Sequence, residues 1–266
     1  LLRNKPITLP AATNSAPWSE RFIIRHLPEE DLVRLRYAAS NASATLNDLL
    51  IVEFMCLLRD WAQGDEGIRE SNKEPLDQLS GERDHLRLIM PMNLRDREDL
   101  KLAAANKIGF SFLSRSIGDM RTADTGGWSA MMASINAELE QAKRLRLPAQ
   151  FLKKLAFARI SQRMFAYFFS ERRCWGTAVL TQLGDPTRRF YNRFPRQDGR
   201  ILLGNLVLRD FVSCAPLRPL TRAISSTNAY GNELTLTMRC DPATIPQSTA
   251  ERAMDEFVKR LKRRCI

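Results

Sequence analysis

The stretch SATLNDLLIVEFMCLLRDWAQ, residues 43–63, contains a helix whose apolar residues are not confined to one side. Leucine, isoleucine, valine, phenylalanine or methionine occupies almost every position from 49 to 58. A helix that is apolar all round is buried inside a protein. Thr45 precedes it and Asp48 follows three residues later, which predicts a capping box. The stretch therefore predicts a central buried helix. It leaves open whether Asn47 and Asp48 cap the beginning of that helix or serve a site.

Shorter patterns on both sides of this helix predict further strands and helices. The predicted strands are residues 21–27, 86–94, 108–114, 177–183, 201–212, 222–230 and 233–240, and the other predicted helices are residues 28–41, 128–142, 148–168 and 249–262. In residues 108–114 it is Ile108, Phe110 and Phe112 that alternate with smaller residues, as in a half-buried strand. Interleaved strands and helices indicate the α/β class, with a mixed sheet covered by helices.

Composition limits the function classes. Of 266 residues, 44% are hydrophobic and 27% charged, which is typical of globular proteins, and the net charge is +11. That surplus favours anionic partners, but no helix-turn-helix, aromatic platform or zinc motif accompanies it, so nucleic acid is an unlikely partner. No apolar run reaches the roughly 18 to 20 residues of a membrane span, and the first residues lack a signal-peptide core. We expect a soluble, cytoplasmic protein.

The sequence lacks the common catalytic and metal-binding motifs. Its five cysteines have no CxxC spacing and only His26 and His85 could join them, so no metal site and no disulfide framework is expected. A Walker loop, a GxGxxG cradle and a GxSxG elbow are absent. Neither histidine has an adjacent acid or nucleophile, and a base must lie within hydrogen-bond reach of its proton. The residues alone predict no self-contained catalytic set.

Five short stretches, in chain order, carry a resemblance to a known family. Residues 45–50 (TLNDLL) are similar to its T-x-N-D helix start, residues 91–95 (PMNLR) to its P-V-N-L-R strand end, and residues 106–110 (NKIGF) to its next strand. Residues 180–184 (LTQLG) resemble its S/T-N-x-G strand, and residues 230–236 (YGNELTL) its closing hairpin. Together they resemble the C-terminal half of the chloramphenicol-acetyltransferase-like superfamily. That superfamily includes condensation domains of nonribosomal peptide synthetases, polyketide-associated acyltransferases, wax ester synthases and alcohol acetyltransferases.

The resemblance implies a two-lobed enzyme of which this chain is one part. In that family an HHxxxDG motif lies in the N-terminal half, and its second histidine is the general base for an acceptor hydroxyl or amine that attacks a thioester. This sequence has no adjacent histidines. Residues 20–266 are therefore expected to form the C-terminal, coenzyme-A-dependent acyltransferase-like lobe, preceded by an extended connector at residues 1–19 with little core. The missing N-terminal lobe is the expected partner, and the chain, which starts at Leu1, would be an excised or truncated piece without activity of its own.

The resemblance also implies substrate-binding residues. It places two strand ends near the tunnel between the lobes, and these carry Asn93, Arg95, Thr181 and Gln182. Gln182 stands where the family usually has asparagine. The Arg95 guanidinium suits a carboxylate or phosphate, and the alternative is a structural ion pair with Asp210. Structural roles are expected for Thr45, Asn47, Asp48 and Asp210.

The expected ligands follow from the same resemblance. No covalently bound cofactor is expected, and the substrate would be a thioester of coenzyme A or of phosphopantetheine on an acyl carrier protein. Residues 185–205 would form the crossover to the other lobe, and their arginines suit a phosphate group or merely a solvated loop.

Three function classes stay open. The first is the C-terminal lobe of an acyltransferase or condensation enzyme, and the second is a non-catalytic interaction or acyl-ligand-binding module on the same fold. An HHxxxDG motif upstream in the reading frame would favour the first. A third class, a nucleic-acid binder, is excluded if random DNA does not bind near about 50 mM salt. A lobe without its partner is also expected to expose an apolar face and to self-associate.

Overall fold

The computed structural model describes residues 6–12, 17–18, 22–64, 85–95, 99, 107–170, 173–188, 193–218 and 220–265. In chain order the elements are β1 (Ile23–Leu27), α1 (Glu29–Asn41), α2 (Leu46–Gln63), β2 (His85–Asn93), β3 (Ile108–Ser116), α3 (Ile117–Thr122), a π-helical turn (Ala123–Gly127), α4 (Trp128–Arg144), α5 (Leu147–Ala158), α6 (Gln162–Phe169), β4 (Ala178–Gly184), β5 (Arg196–Gln197), β6 (Arg200–Leu203), β7 (Leu206–Val207), β8 (Ala223–Tyr230), β9 (Glu233–Cys240) and α7 (Gln247–Arg263). The α/β class with a mixed sheet covered by helices is confirmed.

Six strands form the main sheet, in the order β1-β9-β8-β4-β2-β3. At the centre of the sheet, β4 is parallel to both β8 and β2. The other pairs are antiparallel, namely β1 with β9, β8 with β9 and β2 with β3. The turn from β8 to β9 consists of Gly231 and Asn232, both with positive φ (59° and 64°). Two-residue hairpins need this backbone conformation, and glycine and asparagine adopt it readily. The parallel centre matters for the site because β2 and β4 end at the same edge.

Helix α2 is the centre of the core, as its sequence predicts. Every residue from 48 to 62 is buried, and its Phe54 ring packs on Phe257 of α7 with 5.4 Å between centroids. Thr45 and Asp48 form the predicted capping box. Within the described residues no single helix is long and apolar enough to cross a membrane; α1 and α2 pass that test only as a pair, which is bent by 96°.

The second face of the sheet carries a smaller apolar cluster, which includes Ile89, Trp175, Val179 and Ile224. The strand at residues 108–114 is confirmed, but its faces differ from the prediction. Gly109, Ser111 and Leu113 are buried, whereas Ile108 is exposed and the two phenylalanines of β3 are half-buried. Those phenylalanines lie on the second face, where their rings pack against Phe151 of α5. Because both faces of the sheet are covered, alternation along β3 does not identify the main core.

Two predicted elements are divided in the structure. The helix predicted at residues 148–168 breaks at residues 159–161, where Ser161 Oγ accepts the Met164 backbone N–H at 3.5 Å and begins α6. Serine favours such an N-cap position over a helix interior. The strand predicted at residues 201–212 is the hairpin β6–β7, which turns at Gly204 with φ 64°.

The N-terminal connector contributes more core than expected. Ile7 and Leu9 are 1% and 0% exposed and belong to the main cluster. The Ile7 backbone N–H donates to the His85 carbonyl at 3.0 Å, and Arg222 donates to the Leu9 carbonyl. The segment therefore packs against the folded unit. Residues 65–84, 96–98 and 100–106 lie outside the described residues.

Candidate functional site

A cleft of about 300 Å³ lies where the carboxyl ends of β2 and β4 meet the first turn of α2, and the last turns of α4 form its outer wall. Ligand sites in α/β proteins commonly lie outside the carboxyl ends of the strands. The apolar part of its lining consists of Ile51, Met90, Pro91, Met92, Leu139 and Leu180. The polar part includes Thr45, Asn47, Asp48, Asn93, Asn136 and Gln182. The cleft thus has an apolar floor with several neutral amide and hydroxyl groups.

Asp48 holds two walls of the cleft together. Its carboxylate, 2% exposed, accepts the Thr45 backbone N–H at 2.8 Å and the Thr45 hydroxyl at 2.7 Å through Oδ2. The same oxygen accepts Nδ2 of Asn136 from α4 at 2.8 Å. In return the Asp48 N–H donates to Thr45 Oγ1 at 3.3 Å. The predicted cap therefore also links α2 to α4.

Gln182 and Thr181 separate at the end of β4. Gln182 lines the cleft, and its Nε2 donates to the Asn47 carbonyl at 3.0 Å. Thr181 is not in the lining, because successive side chains of a strand point to opposite faces and Leu180 and Gln182 take the cleft side. The Thr181 hydroxyl is buried with no hydrogen-bond partner among the described residues. Of this expected pair, only Gln182 lies at the cleft.

Asn93 and Arg95 also differ in position. Asn93 lies exposed in the cleft lining, and its Oδ1 accepts the Arg95 backbone N–H at 3.0 Å, a local turn that suits asparagine. Arg95 itself is not part of the lining. Asp210 lies elsewhere, facing His26 of β1 at 3.7 Å and the hydroxyl of Thr235 of β9 at 3.4 Å. Strands β4 and β8 separate β2 from β9, so the considered pairing of Arg95 with Asp210 is wrong.

The contribution of α4 was missed at the sequence level. Asn136, Glu140 and Lys143 line the outer wall, and the Lys143 ammonium contacts the Glu140 carboxylate at 2.6 Å. Their spacing of four and three residues places them on one helix face. That polar stripe was the available signal, but a solvated helix face has the same pattern.

Residues 196–207, which overlap the segment predicted to form the crossover, contain a small sheet of β5, β6 and β7. The Arg196 guanidinium donates to the Gly199 carbonyl at 2.9 Å and to the Thr187 hydroxyl at 2.8 Å. Arg200 pairs with Glu233 at 3.0 Å. These two arginines therefore have structural partners within this segment and β9.

Neither histidine of the chain lies in the described lining of the cleft. His85 begins β2, whereas the cleft is lined by Met90–Asn93 of that strand, about 17 to 26 Å away at the usual rise per residue. His26 lies on strand β1, distant from the cleft, and faces Asp210. Desolvation raises the pKa of the Cys214 and Cys240 thiols, which keeps them protonated and poor nucleophiles. Among the described residues no group of three or more His, Cys, Asp or Glu could hold a metal ion.

No family model and no curated protein matches the sequence, but solved structures match the fold. The nonribosomal peptide synthetase FmoA3 matches 98% of this chain with a TM-score of 0.56 and 15% identity, over 24% of its own chain. The epimerization domain from the third module of tyrocidine synthetase B matches 99% with a TM-score of 0.52 and 10% identity, over 52% of its chain. Polyketide synthase associated protein 5 from Mycobacterium tuberculosis matches 90% with a TM-score of 0.52 and 13% identity, over 52% of its chain.

The chain therefore spans about a quarter of the first of these structures and about half of the other two. Identities of 10 to 15% show a shared fold only. The mixed sheet with the buried α2 is accordingly a condensation-domain-like fold.

Proposed function

We propose that this chain is the C-terminal lobe of a two-lobed acyl-transferring enzyme, and that its cleft binds the pantetheine arm of an acyl thioester. The observation that carries the proposal is the cleft at the ends of β2 and β4, in a chain with a condensation-domain-like fold. The donor is a thioester of coenzyme A or of a carrier protein. The acceptor is a hydroxyl or an amine.

The lining of the cleft suits a pantetheine arm. That arm is a chain with two amides, a thioester and no charge before its phosphate. Asn136 and Gln182 place side-chain amides beside an apolar floor that includes Met90 and Leu180. A volume of about 300 Å³ is at the lower end for ligand sites, so the arm fits and the nucleotide of coenzyme A stays outside.

The phosphate has a candidate partner at the rim. The Lys143 side chain is 55% exposed, and its ion pair with Glu140, itself 60% exposed, is weak in water. A phosphate can therefore replace the Glu140 carboxylate as the partner of the Lys143 ammonium at little cost in free energy.

The catalytic base comes from the other lobe. A general base must lie within about 3 Å of the acceptor proton, and neither histidine of this chain lies at the cleft. In this proposal the N-terminal lobe supplies the HHxxxDG histidine, and the present chain fixes the thioester. The chain alone then binds donor without turnover.

A second function keeps the binding step and drops the chemistry. The absence of a histidine from the described part of the cleft also suits a non-catalytic module that binds an acyl ligand. The two functions differ in one outcome, which is turnover by the full product of the reading frame.

Binding by this chain is the first test. Calorimetric titration with acyl-pantetheine is expected to show saturable binding, and Gln182→Ala is expected to weaken it about tenfold, the effect of losing one or two hydrogen bonds. Gln141→Ala, on an exposed side of α4 outside the lining, is the matched control and is expected to bind normally. Equal affinity for Gln182→Ala and Gln141→Ala would place the ligand elsewhere, and absence of binding by the unaltered chain would overturn the proposal.

Turnover is the second test. The full gene product is mixed with acyl-coenzyme A and a panel of alcohols and amines, and free coenzyme A is measured with a thiol reagent. Acceptor-dependent release by the full product but not by this chain is expected. Release by this chain alone would contradict the role given to the other lobe, and binding without release by either protein would favour the non-catalytic module.

A further inference from the structure

Helices α5 and α6 and the turn between them expose several large apolar side chains. We call this set the α5–α6 surface, and it consists of Leu147, Phe157, Ile160, Met164, Phe165 and Tyr167. Each of these side chains is between 40 and 79% exposed. A cluster of large apolar side chains at this exposure is unusual in water and commonly marks an interaction site.

The two helices differ in how they are held. Helix α5 covers the edge strand β3, where Phe151 packs edge-on against Phe110 and Phe112 with centroids 6.4 and 5.1 Å apart. A Cβ at Gly109 would lie 2.7 Å from the Pro148 Cβ, so the start of α5 approaches β3 as closely as a side-chain-free residue allows. Helix α6 lies outside this contact, and residues 162–167 are all exposed. The inner side of α5 is therefore anchored while the α5–α6 surface faces outward.

Positive charge surrounds the α5–α6 surface. Residues 144–170 include six cationic and no acidic residues, namely Arg144, Arg146, Lys153, Lys154, Arg159 and Arg163. All six are exposed. Arg173 adds a seventh cation, with its guanidinium carbon 3.4 Å from the Tyr167 ring centroid. Exposed apolar and aromatic side chains among cations on short helices are the composition of segments that lie in the interface of an anionic membrane.

We propose that the α5–α6 surface docks this protein on an anionic lipid surface. The apolar side chains enter the boundary between headgroups and acyl chains, and the cations contact lipid phosphates. Charge favours lipid over a protein partner, because the centres of protein interfaces are depleted of lysine, whereas Lys153 and Lys154 flank Phe157 here. The surface shares no residue with the cleft lining.

Vesicle co-sedimentation tests this proposal. The chain is mixed with vesicles of equal parts phosphatidylcholine and phosphatidylglycerol, and in parallel with phosphatidylcholine alone. Binding is expected only to the anionic vesicles. It is expected to fall when salt rises from about 0.1 M to about 1 M, because the Debye length falls from about 10 Å to about 3 Å. Equal binding to both vesicles, or to neither, overturns the proposal.

Two matched pairs of substitutions locate the contact. Lys153→Glu with Lys154→Glu is expected to reduce partitioning at least about tenfold, because each basic residue near the surface contributes separately. Arg34→Glu with Arg36→Glu, on the exposed side of α1, makes the same change in net charge and is expected to have little effect. An equal loss in both pairs would indicate attraction by net charge alone and overturn the assignment to α5–α6.

Apolar insertion and competition by the other lobe need their own measurements. Phe157→Ser with Ile160→Ser is expected to weaken binding to anionic vesicles while the thermal unfolding temperature stays unchanged, since both side chains are more than 60% exposed. The full gene product is tested beside this chain. If this chain binds vesicles and the full product does not, the α5–α6 surface is an interface between lobes and the membrane proposal is wrong. The outcome is independent of acyl transfer, which vesicle binding does not measure.

Discussion

The two ends of α2 use polar residues in opposite ways. At its beginning, Asp48 is surrounded by neutral groups of Thr45 and Asn136 and borders the cleft. Toward its end, Asp60 lies between two guanidinium groups, Arg59 at 2.6 Å and Arg260 of α7. The first arrangement leaves hydroxyls and amides within reach of a ligand, and the second encloses full charges among helices.

Glu53, in the middle of α2, extends the charged arrangement. Its carboxylate is 1% exposed and accepts Nε1 of Trp128 at 2.7 Å and Nε of Arg264 at 2.8 Å. The Arg264 guanidinium also lies over the Trp128 ring, 4.4 Å from its centroid. The comparison teaches how to interpret polar residues on a buried helix. They indicate a site if their partners are neutral and reachable by a ligand. They indicate a structural lock, meaning a buried ion pair that holds helices together, if their partners carry the opposite charge.

Asp60→Asn should have the largest effect on this lock. The substitution removes the carboxylate charge between Arg59 and Arg260, whose side chains are 6% and 11% exposed, and Arg260 keeps the Glu256 carboxylate at 3.9 Å. Removing one partner of a buried ion pair typically costs about 3–5 kcal/mol. Urea unfolding is expected to show a loss of that size. Asp255→Asn, in the exposed pair with Arg25, is the control, and its effect should stay below about 1 kcal/mol. Similar losses for both variants would remove the distinction between locked and exposed charges.

Glu53→Gln should cost less, about 2 kcal/mol, the usual contribution of a hydrogen bond to a charged group. The glutamine oxygen can still accept one donor, and Arg264, whose side chain is 31% exposed, can reach water. The same urea titration measures this change. A loss as large as that of Asp60→Asn would show that Arg264 gains no hydration.

Asp48→Ala should cost about 1–2 kcal/mol, because it removes a helix cap and the partner of Asn136 without leaving a buried cation. Thr45→Ala belongs to the same box, so the double variant is expected to lose less than the sum of the two single losses. Unfolding of the three variants measures this coupling. Strict additivity would contradict the shared box.

Gln182→Ala should have the smallest effect on stability, below about 1 kcal/mol, since it removes one exposed hydrogen bond to Asn47. Its expected effect is instead on binding of acyl-pantetheine at the cleft. A large loss of stability with unchanged binding would show that the beginning of α2 stabilises the fold and does not bind the ligand.

The sequence was sufficient to predict elements whose apolar residues cover one side or every side of the element. Helix α2, its cap and α7 follow from periodicity and capping residues. It was insufficient where apolar layers pack on both faces of one strand. In β3 the phenylalanines pack under α5, whereas Leu113 belongs to the main core. Hydrophobic periodicity reports burial but not which layer buries a residue.

The site was predictable in part for a related reason. Motifs at residues 45–48, 93 and 182 lie together because strand ends and a helix start meet at one edge of the sheet. Asn136 was not predictable, because a polar residue on an amphipathic helix is usually solvated and its contact with Asp48 depends on the packing of α4. Thr181 lies outside the lining because successive side chains of β4 point to opposite faces and Leu180 and Gln182 take the cleft side.

The ion pair between Asp60 and Arg260 joins residues 200 positions apart. At about 5–20 residues per second of synthesis, α2 waits roughly 10 to 40 seconds for the helix that covers it. During that time an apolar helix and the unpaired edges of a growing sheet are open to solvent. We therefore expect this chain to depend on chaperones that bind nascent polypeptides, more than a protein of equal stability whose contacts are local in sequence.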